Sequence, residues 1–173
     1  MTKTTRLIAI SLCSTLAAIV LFNGPASADD SQTRKEIEEI YAKRVEAIKK
    51  KNFAYLKSHE SDDYTEKTKE GTVKNRQEAD AEADDLFGMV REVKEYSLKV
   101  DTIKEDKTNN EIIVETSDSG SFSLVTPDNK AHEVIGRGRS REVWKRTKQG
   151  WKLKYHEELG DSYVEMDGKP IKD

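Results

Sequence analysis

The stretch Ile135–Glu158, IGRGRSREVWKRTKQGWKLKYHEE, decides the fold because it predicts two long strands joined by a tight turn. The turn falls at Lys148-Gln149-Gly150, where a glycine allows the backbone to reverse. Each strand carries a tryptophan near the turn, Trp144 before it and Trp151 after it. Aromatic residues at these positions favour strands, so the pattern predicts a hairpin inside a sheet with both indoles buried.

Strand-type sequence continues upstream of this hairpin. Alternating or apolar runs predict strands at Ser97–Lys104, Glu111–Val125 and Lys130–Thr147, and turn-forming residues separate them. Gly120 predicts a bulge or bend in the middle of a long strand. The last 80 residues therefore predict four long strands that follow one another as hairpins.

The residues before these strands predict helices. Ser31–Lys51 has one apolar stripe at helical spacing, and Phe53–Ser58 predicts a short second helix. A short strand is expected at Tyr64–Thr68. Asn75, with a glutamate three residues later, predicts a capping box that opens a third helix ending near Val93. Helices that precede a run of hairpins predict an α+β domain, with the helices on one face of an antiparallel sheet.

The first 28 residues predict an export signal. Lys3 and Arg6 precede the apolar run Leu7–Phe22, and Ala26-Ser27-Ala28 has the small-residue pattern of a cleavage site. A retained membrane anchor is the alternative. We expect residues 1–28 to be removed, residues 29–159 to form one domain and residues 160–173 to form a tail with a short edge strand. The mature protein is then expected in the periplasm or outside the cell, without membrane contact.

Composition narrows the chemistry of the mature chain. Cys13, the only cysteine, lies in the predicted leader, so no thiol nucleophile and no disulfide is expected after cleavage. Charged residues make up 36% of the chain with both signs interspersed, and the formal net charge is −3. This mixture is typical of a solvated surface and disfavours nucleic acid as a partner.

Four motifs resemble the nuclear transport factor 2-like superfamily, the fold shared with ketosteroid isomerase and SnoaL-like proteins. They are the helix end AIKKKNF at 47–53, SDDY at 61–64, YSLKV at 96–100, and VWKR at 143–146 with GWKL at 150–153 and His156. The resemblance covers about residues 32–159. It implies a cone-shaped domain, in which a strongly curved sheet wraps around a helix-lined pocket, and it implies a homodimer formed through the sheet. It fixes the place of a site but not its chemistry.

A pocket in such a fold opens between the helices and the inner face of the sheet. Asp63 and Tyr64 are the candidate catalytic pair, because a carboxylate beside a phenol could transfer a proton. Alternation along Trp151–Leu159 places His156 on the polar side of its strand, so we treat it as a pocket candidate rather than the leading general base. The expected lining residues are His59, Asp85, Met89, Tyr96, Trp144, Tyr155 and His156.

Other kinds of site lack sequence support. The three histidines are scattered without metal-ligand spacing, and no nucleotide-binding or nucleophile motif occurs, so no metal and no cofactor is expected. Arg137, Arg139 and Arg141 share one strand face, where cross-strand glutamate partners are the more common use of such a stripe. Three functions stay open: an exported module that binds a small apolar ligand; an isomerase, dehydratase or cyclase that uses Asp63 and Tyr64; or a structural partner domain that pairs through its sheet.

Overall fold

The computed structural model describes residues 28–171, so the predicted leader lies outside the described residues except for its last position. Three helices, α1 (Ala28–Lys49), α2 (Phe53–Ser58) and α3 (Arg76–Met89), combine with seven strands. The strands are β1 (Glu60–Lys67), β2 (Val73–Asn75), β3 (Val90–Asp106), β4 (Glu111–Val125), β5 (Ala131–Thr147), β6 (Gly150–Met166) and β7 (Lys169–Pro170). No helix in this part of the chain is long and apolar enough to cross a membrane.

One curved sheet contains all seven strands, in the order β2-β1-β6-β5-β4-β3, and β7 pairs with the far end of β6. The predicted α+β class is confirmed, and β3 to β6 are the four long strands expected from the sequence. The sheet is mixed rather than antiparallel throughout, because β1 runs parallel to β6. β1 and β6 are far apart in sequence, and a prediction based on hairpins between successive strands does not include such a pair.

The predicted hairpin turn forms between β5 and β6. β5 ends at Thr147 and β6 begins at Gly150, whose φ of +101° lies in the region that suits glycine. Trp144 is fully buried and Trp151 is 9% exposed, so both indoles lie in the core as predicted.

The third helix begins as predicted and ends earlier than predicted. The side chain of Asn75 accepts a hydrogen bond from the Glu78 amide, and the Glu78 carboxylate accepts one from the Asn75 amide. The helix stops at Met89 because Val90 has an extended backbone and pairs with Leu124 of β4. The residues expected to finish the helix therefore begin β3 instead.

The limits of β1 and β6 differ from those expected, and one strand was not expected at all. β1 starts at Glu60, four residues before the predicted strand, and the short strand β2 was not predicted. The predicted tail boundary at Gly160 falls inside β6, because Tyr163 and Val164 still pair with β5.

Gly120 has a different role from the predicted bulge. The register shift lies in the neighbouring strand, where Lys94 of β3 is an extra residue between Val93 and Glu95. A Cβ atom at Gly120 would lie 2.8 Å from the Glu95 carbonyl oxygen. Glycine at this position therefore gives the bulged strand room to approach β4.

The core consists of two apolar clusters on the sheet face that contacts α1, called the inner face below. The first is built around Ile37, Tyr41, Ile112, Trp144 and Leu153, and the second around Val90, Tyr96, Phe122, Val134 and Val164. Leu98 packs against both clusters. Glu142 and Thr116 are buried polar residues of the same sheet, at 2% exposure each.

Candidate functional site

A cavity of about 260 Å³ lies between α1, α2, α3 and the inner face of the sheet. One group of its lining residues is apolar: Ile48, Phe53, Ala79, Ala83, Leu86, Phe87, Val90, Leu98 and Phe122. The other group carries hydrogen-bonding or ionisable side chains: Arg44, Glu66, Glu82, Tyr96, Thr116, Asp118, Arg139, Ser140, Glu142, His156 and Glu158. The cavity thus combines apolar walls with buried polar groups, the usual character of a small-molecule site.

The apolar walls come from the helices and from β3 and β4. Phe53 at the start of α2 stacks on Phe87 of α3, with ring centroids 3.8 Å apart and planes within 1° of parallel. Ala79 and Ala83 lie one turn apart on the same helix and leave room where larger side chains would fill the space. Small residues on α3 therefore keep the cavity open.

Glu142 is the most enclosed charged residue of the site. Its Oε2 atom accepts hydrogen bonds from the Tyr41 hydroxyl, from Arg44 Nη1 at 2.7 Å and from Trp144 Nε1 at 3.1 Å. His156 Nδ1 lies 3.4 Å from the other carboxylate oxygen. Burial alone would raise the pKa of Glu142, but the Arg44 charge and the hydrogen bonds hold it well below its ordinary value. The carboxylate is therefore charged and fully paired.

His156 reaches the inner face because β6 contains a bulge. Glu142 pairs with His156 and Trp144 pairs with Leu153, so Lys154 is an extra residue between the two pairs. The bulge reverses the alternation, and the side chains that point inward after Lys154 are those of the even positions. Strict alternation placed His156 among solvated residues, and that interpretation is wrong.

The titration of His156 is governed by Glu142. Burial would lower the pKa of the imidazole, but the hydrogen bond and charge of Glu142 raise it above its ordinary value. Since Nδ1 faces Glu142, Nε2 is the ring nitrogen left for a molecule in the cavity. A carboxylate that fixes one nitrogen and leaves the other available is an arrangement suited to acid–base work.

Asp118 is the second titratable group of the cavity. Its Oδ2 atom accepts a hydrogen bond from the Tyr96 hydroxyl at 3.2 Å. Burial raises the pKa of Asp118 to about 7, although the Tyr96 hydrogen bond and the charge of His156 act in the opposite direction. Glu158 also lines the cavity, and burial raises its pKa as well. Two carboxyl groups of the cavity therefore hold a proton more readily than an exposed one does.

The structure brings two of the expected lining residues, Tyr96 and His156, to the cavity. The candidate pair Asp63 and Tyr64 lies elsewhere. Asp63 is exposed, and a hydrogen bond from Ser61 lowers its pKa, which makes it a weak base. Tyr64 is buried in the first core cluster, where its hydroxyl lies 3.4 Å from the Glu66 carboxylate. Neither Asp63 nor Tyr64 lines the cavity.

The other expected lining residues are outside the cavity wall. Trp144 is 0% exposed; its indole N–H donates to Tyr41 and Glu142, and its ring lies beneath the Arg44 guanidinium. The His59 ring lies 2.9 Å from the Tyr55 carbonyl oxygen beyond the end of α2. Three more do not line the cavity: the exposed Asp85, the half-buried Met89, and Tyr155, which pairs with Val143 on the outer face of the sheet.

No group of three or more histidine, cysteine or acidic side chains among the described residues could hold a metal ion. Two arginines of the β5 stripe have glutamate partners on the neighbouring strands, as expected from the sequence. Arg141 pairs with Glu115 at 3.0 Å and with Glu157 at 3.4 Å, and Arg139 lies 3.9 Å from Glu115.

No family model matches the sequence, and no curated protein matches it. Solved structures do match. A scytalone dehydratase-like protein from Novosphingobium aromaticivorans aligns with a TM-score of 0.65 at 11% identity, over 83% of this chain and 91% of that one. A nuclear transport factor 2-like protein from Cytophaga hutchinsonii aligns with a TM-score of 0.54 at 15% identity, over 73% and 96%. This chain has the nuclear transport factor 2-like fold.

Enzymes and proteins of unstated function share this fold. A hexachlorocyclohexane dehydrochlorinase, LinA type 2, aligns with a TM-score of 0.58 at 16% identity, over 83% of this chain and 92% of that one. At these identities the likeness concerns the fold alone. What the nuclear transport factor 2-like cavity of this chain does must be argued from its own residues.

Proposed function

We propose that this protein binds one small, largely apolar molecule in the cavity between its helices and the inner face of the sheet. The observation that carries the proposal is a cavity of about 260 Å³ in which aromatic and aliphatic side chains lie beside buried polar groups such as Thr116 and Glu142. A cavity of about 150 Å³ accommodates benzene. The volume here therefore suits roughly one aromatic ring with a short side chain.

Two substitutions in α3, one inside the cavity and one outside it, test where the molecule binds. Ala83 lines the cavity and Ala81, two residues earlier on the same helix, is exposed. Ala83→Phe should fill the cavity and abolish binding of phenyl-containing probes, whereas Ala81→Phe should leave their affinity unchanged. Calorimetric titration of both variants measures this. Equal binding by the two variants would contradict the proposed location.

A second candidate function is proton transfer to or from the bound molecule. The observation that favours it is the presence of His156, paired with Glu142, in the same cavity as Asp118, whose pKa is raised to about 7. General acid–base catalysis needs one side chain that can give up a proton and another that can take it, both within reach of the bound molecule. LinA and the scytalone dehydratase-like protein are enzymes of the same fold, which supports the idea without assigning a substrate.

Hydrogen exchange separates binding from catalysis. If His156 transfers protons, a bound probe should exchange acidic C–H hydrogens for deuterium in D₂O, and His156→Gln should stop the exchange while binding persists. Asp63→Asn is the matched control, since Asp63 is exposed and outside the cavity. Binding without any exchange would leave the protein as a binding module.

Export and dimer formation stay proposals. We propose that the basic start, the apolar run and Ala26-Ser27-Ala28 direct export and cleavage after Ala28. Intact mass of the protein from the envelope or medium should show Asp29 as the first residue, and a mass that retains residues 1–28 would contradict this.

Light scattering at micromolar concentration would show whether the protein is the homodimer that its resemblance implies.

A further inference from the structure

Arg44 of α1 is a largely buried arginine with few partners. Its side chain is 17% exposed, and its one hydrogen bond runs from Nη1 to Glu142. The guanidinium lies over the rings of Tyr41 and Trp144, 5.3 and 5.5 Å from their centroids. A guanidinium has five N–H groups. The nitrogens of Arg44 are not among the buried unpaired side-chain atoms of the described residues, so those without a partner are open to the cavity that the side chain lines. Among the described residues, no second acceptor lies within hydrogen-bonding distance of Arg44.

Both oxygens of Glu142 already have partners, so neither is left for the remaining N–H groups of Arg44. One carboxylate oxygen of Glu142 already accepts from Tyr41, Arg44 and Trp144, and the other faces His156. His156 adds a further donor to the cavity when its imidazole is protonated, since Nε2 has no hydrogen-bond partner among the described residues. A ligand that covers these two side chains must therefore offer an acceptor atom, because a donor buried without a partner is costly.

The charge of the surrounding side chains restricts which acceptor fits. Four acidic residues besides Glu142 line the same cavity as Arg44: Glu66, Glu82, Asp118 and Glu158. Its other cationic or titratable groups already have acidic partners, Arg139 with Glu115 at 3.9 Å and His156 with Glu142 at 3.4 Å. Burial raises the pKa of both Asp118 and Glu158, as expected where a charge without a partner is costly. The positive charge of Arg44 is already balanced by Glu142 at 2.7 Å. An anionic ligand group would enter this enclosure as a charge without a partner of its own, whereas an uncharged acceptor could take the hydrogen bonds of Arg44 without that cost.

We infer that Arg44 is an anchoring residue, whose unpaired N–H groups hold an uncharged carbonyl oxygen of the ligand. The cavity then selects apolar molecules that carry a ketone, amide or ester group. This inference rests on the proposed function, because it names the chemical class that the same cavity binds. The carbonyl is held beside His156, and the apolar body of the molecule packs against Phe53, Leu86 and Phe87.

Four probes with one phenylalkyl skeleton test the inference: 4-phenylbutan-2-one, 3-phenylpropanoate, 3-phenylpropylamine and butylbenzene. Arg44→Lys keeps a positive charge beside Glu142 but removes the planar fork of N–H groups. It should weaken the ketone about tenfold or more and leave butylbenzene unchanged, since a hydrogen bond from a charged donor is worth that much. Arg146→Lys is the control, because Arg146 also links β5 to α1, through Glu36, outside the cavity.

A measurement on the unaltered protein covers the case in which Arg44→Lys folds poorly. The infrared carbonyl stretch of ¹³C-labelled 4-phenylbutan-2-one should move to lower frequency on binding, because guanidinium donors polarise the C=O bond. An unshifted stretch, an equal loss of ketone and butylbenzene affinity in Arg44→Lys, or tighter binding of the carboxylate or amine would each overturn the inference while leaving cavity binding intact. If none of the four probes binds, the proposed function fails and the inference fails with it.

Discussion

Replacing Glu142 by Gln should destabilise the protein far more than replacing other paired glutamates of the sheet. The carboxylate is 2% exposed and holds Arg44, Tyr41 and Trp144 through one oxygen and His156 through the other. Breaking a buried charge pair costs about 3–5 kcal/mol because the remaining charge stays buried without a partner. The Gln amide oxygen can still accept hydrogen bonds, so we expect a loss of about 3 kcal/mol, near the lower limit.

Urea unfolding followed by tryptophan fluorescence measures this loss. Glu115→Gln is the control, since Glu115 pairs with Arg141 at 3.0 Å on the outer face and is 21% exposed. That pair is partly solvated, so its loss should cost less than about 1 kcal/mol. In a double-mutant cycle with Arg44→Met, the two losses should not add, because the first already removes the charge pair.

The pH dependence gives an independent check of the same charges. The pKa of Glu142 is lowered in the folded protein, so its contribution is present above the ordinary value of 4.5 and is lost as the pH falls. The pKa of His156 is raised, so its contribution is present below the ordinary value of 6.5 and is lost as the pH rises. The gap between the wild-type protein and Glu142→Gln should be widest between these pH values. A gap below about 1 kcal/mol there would refute the reasoning.

Three further predictions concern the core, a helix cap and a buried carboxyl group. Trp144→Ala should lower the free energy of unfolding by about 3–5 kcal/mol, and an unchanged urea midpoint would show that the hairpin core is misjudged. Asn75→Ala should cost about 1 kcal/mol by thermal or urea unfolding, because it removes the side-chain cap of α3; no loss would mean that the capping box contributes nothing. Burial and the neighbouring Asp80 raise the pKa of Glu60 to about 7 in the folded protein. The protonated carboxyl group therefore contributes fully to the free energy of unfolding below pH 4.5, and this contribution is lost as the pH rises through 7. Glu60→Gln should therefore gain stability relative to the wild-type protein at pH 8 but not at pH 5, and equal effects at both pH values would count against the raised pKa.

Local sequence rules predicted most of the fold. The capping box at Asn75, the apolar stripe of α1 and the Trp144–Trp151 hairpin depend on residues close together in the chain, and all three form. The parallel contact of β1 with β6 was not predicted, since it joins segments about 90 residues apart. No local pattern specifies such a pair, and only the assembled sheet brings its strands together.

The site was harder to predict than the fold because its key residues are charged. In the sequence, Arg44 and Glu142 cannot be told apart from the many charged residues that face solvent. His156 was assigned to the wrong face of its strand because a bulge at Lys154 reverses the alternation. One signal could have found Arg44: it occupies a position of the α1 apolar stripe, three residues after Tyr41 and four before Ile48. A charged residue on an apolar stripe either reaches solvent or has a buried partner.

The alanine residues of α3 allow the central claim, that the cavity binds a small apolar molecule, to be tested directly. Ala79 and Ala83 line the cavity, whereas Ala81 on the same helix is exposed. In protein labelled with ¹³C at alanine methyl groups, addition of 4-phenylbutan-2-one should shift the signals of Ala79 and Ala83 through the ring current of the probe and leave that of Ala81 unchanged. Signals of Ala79 and Ala83 that stay fixed at millimolar probe, or shifts confined to Ala81 and other exposed alanines, would contradict the claim.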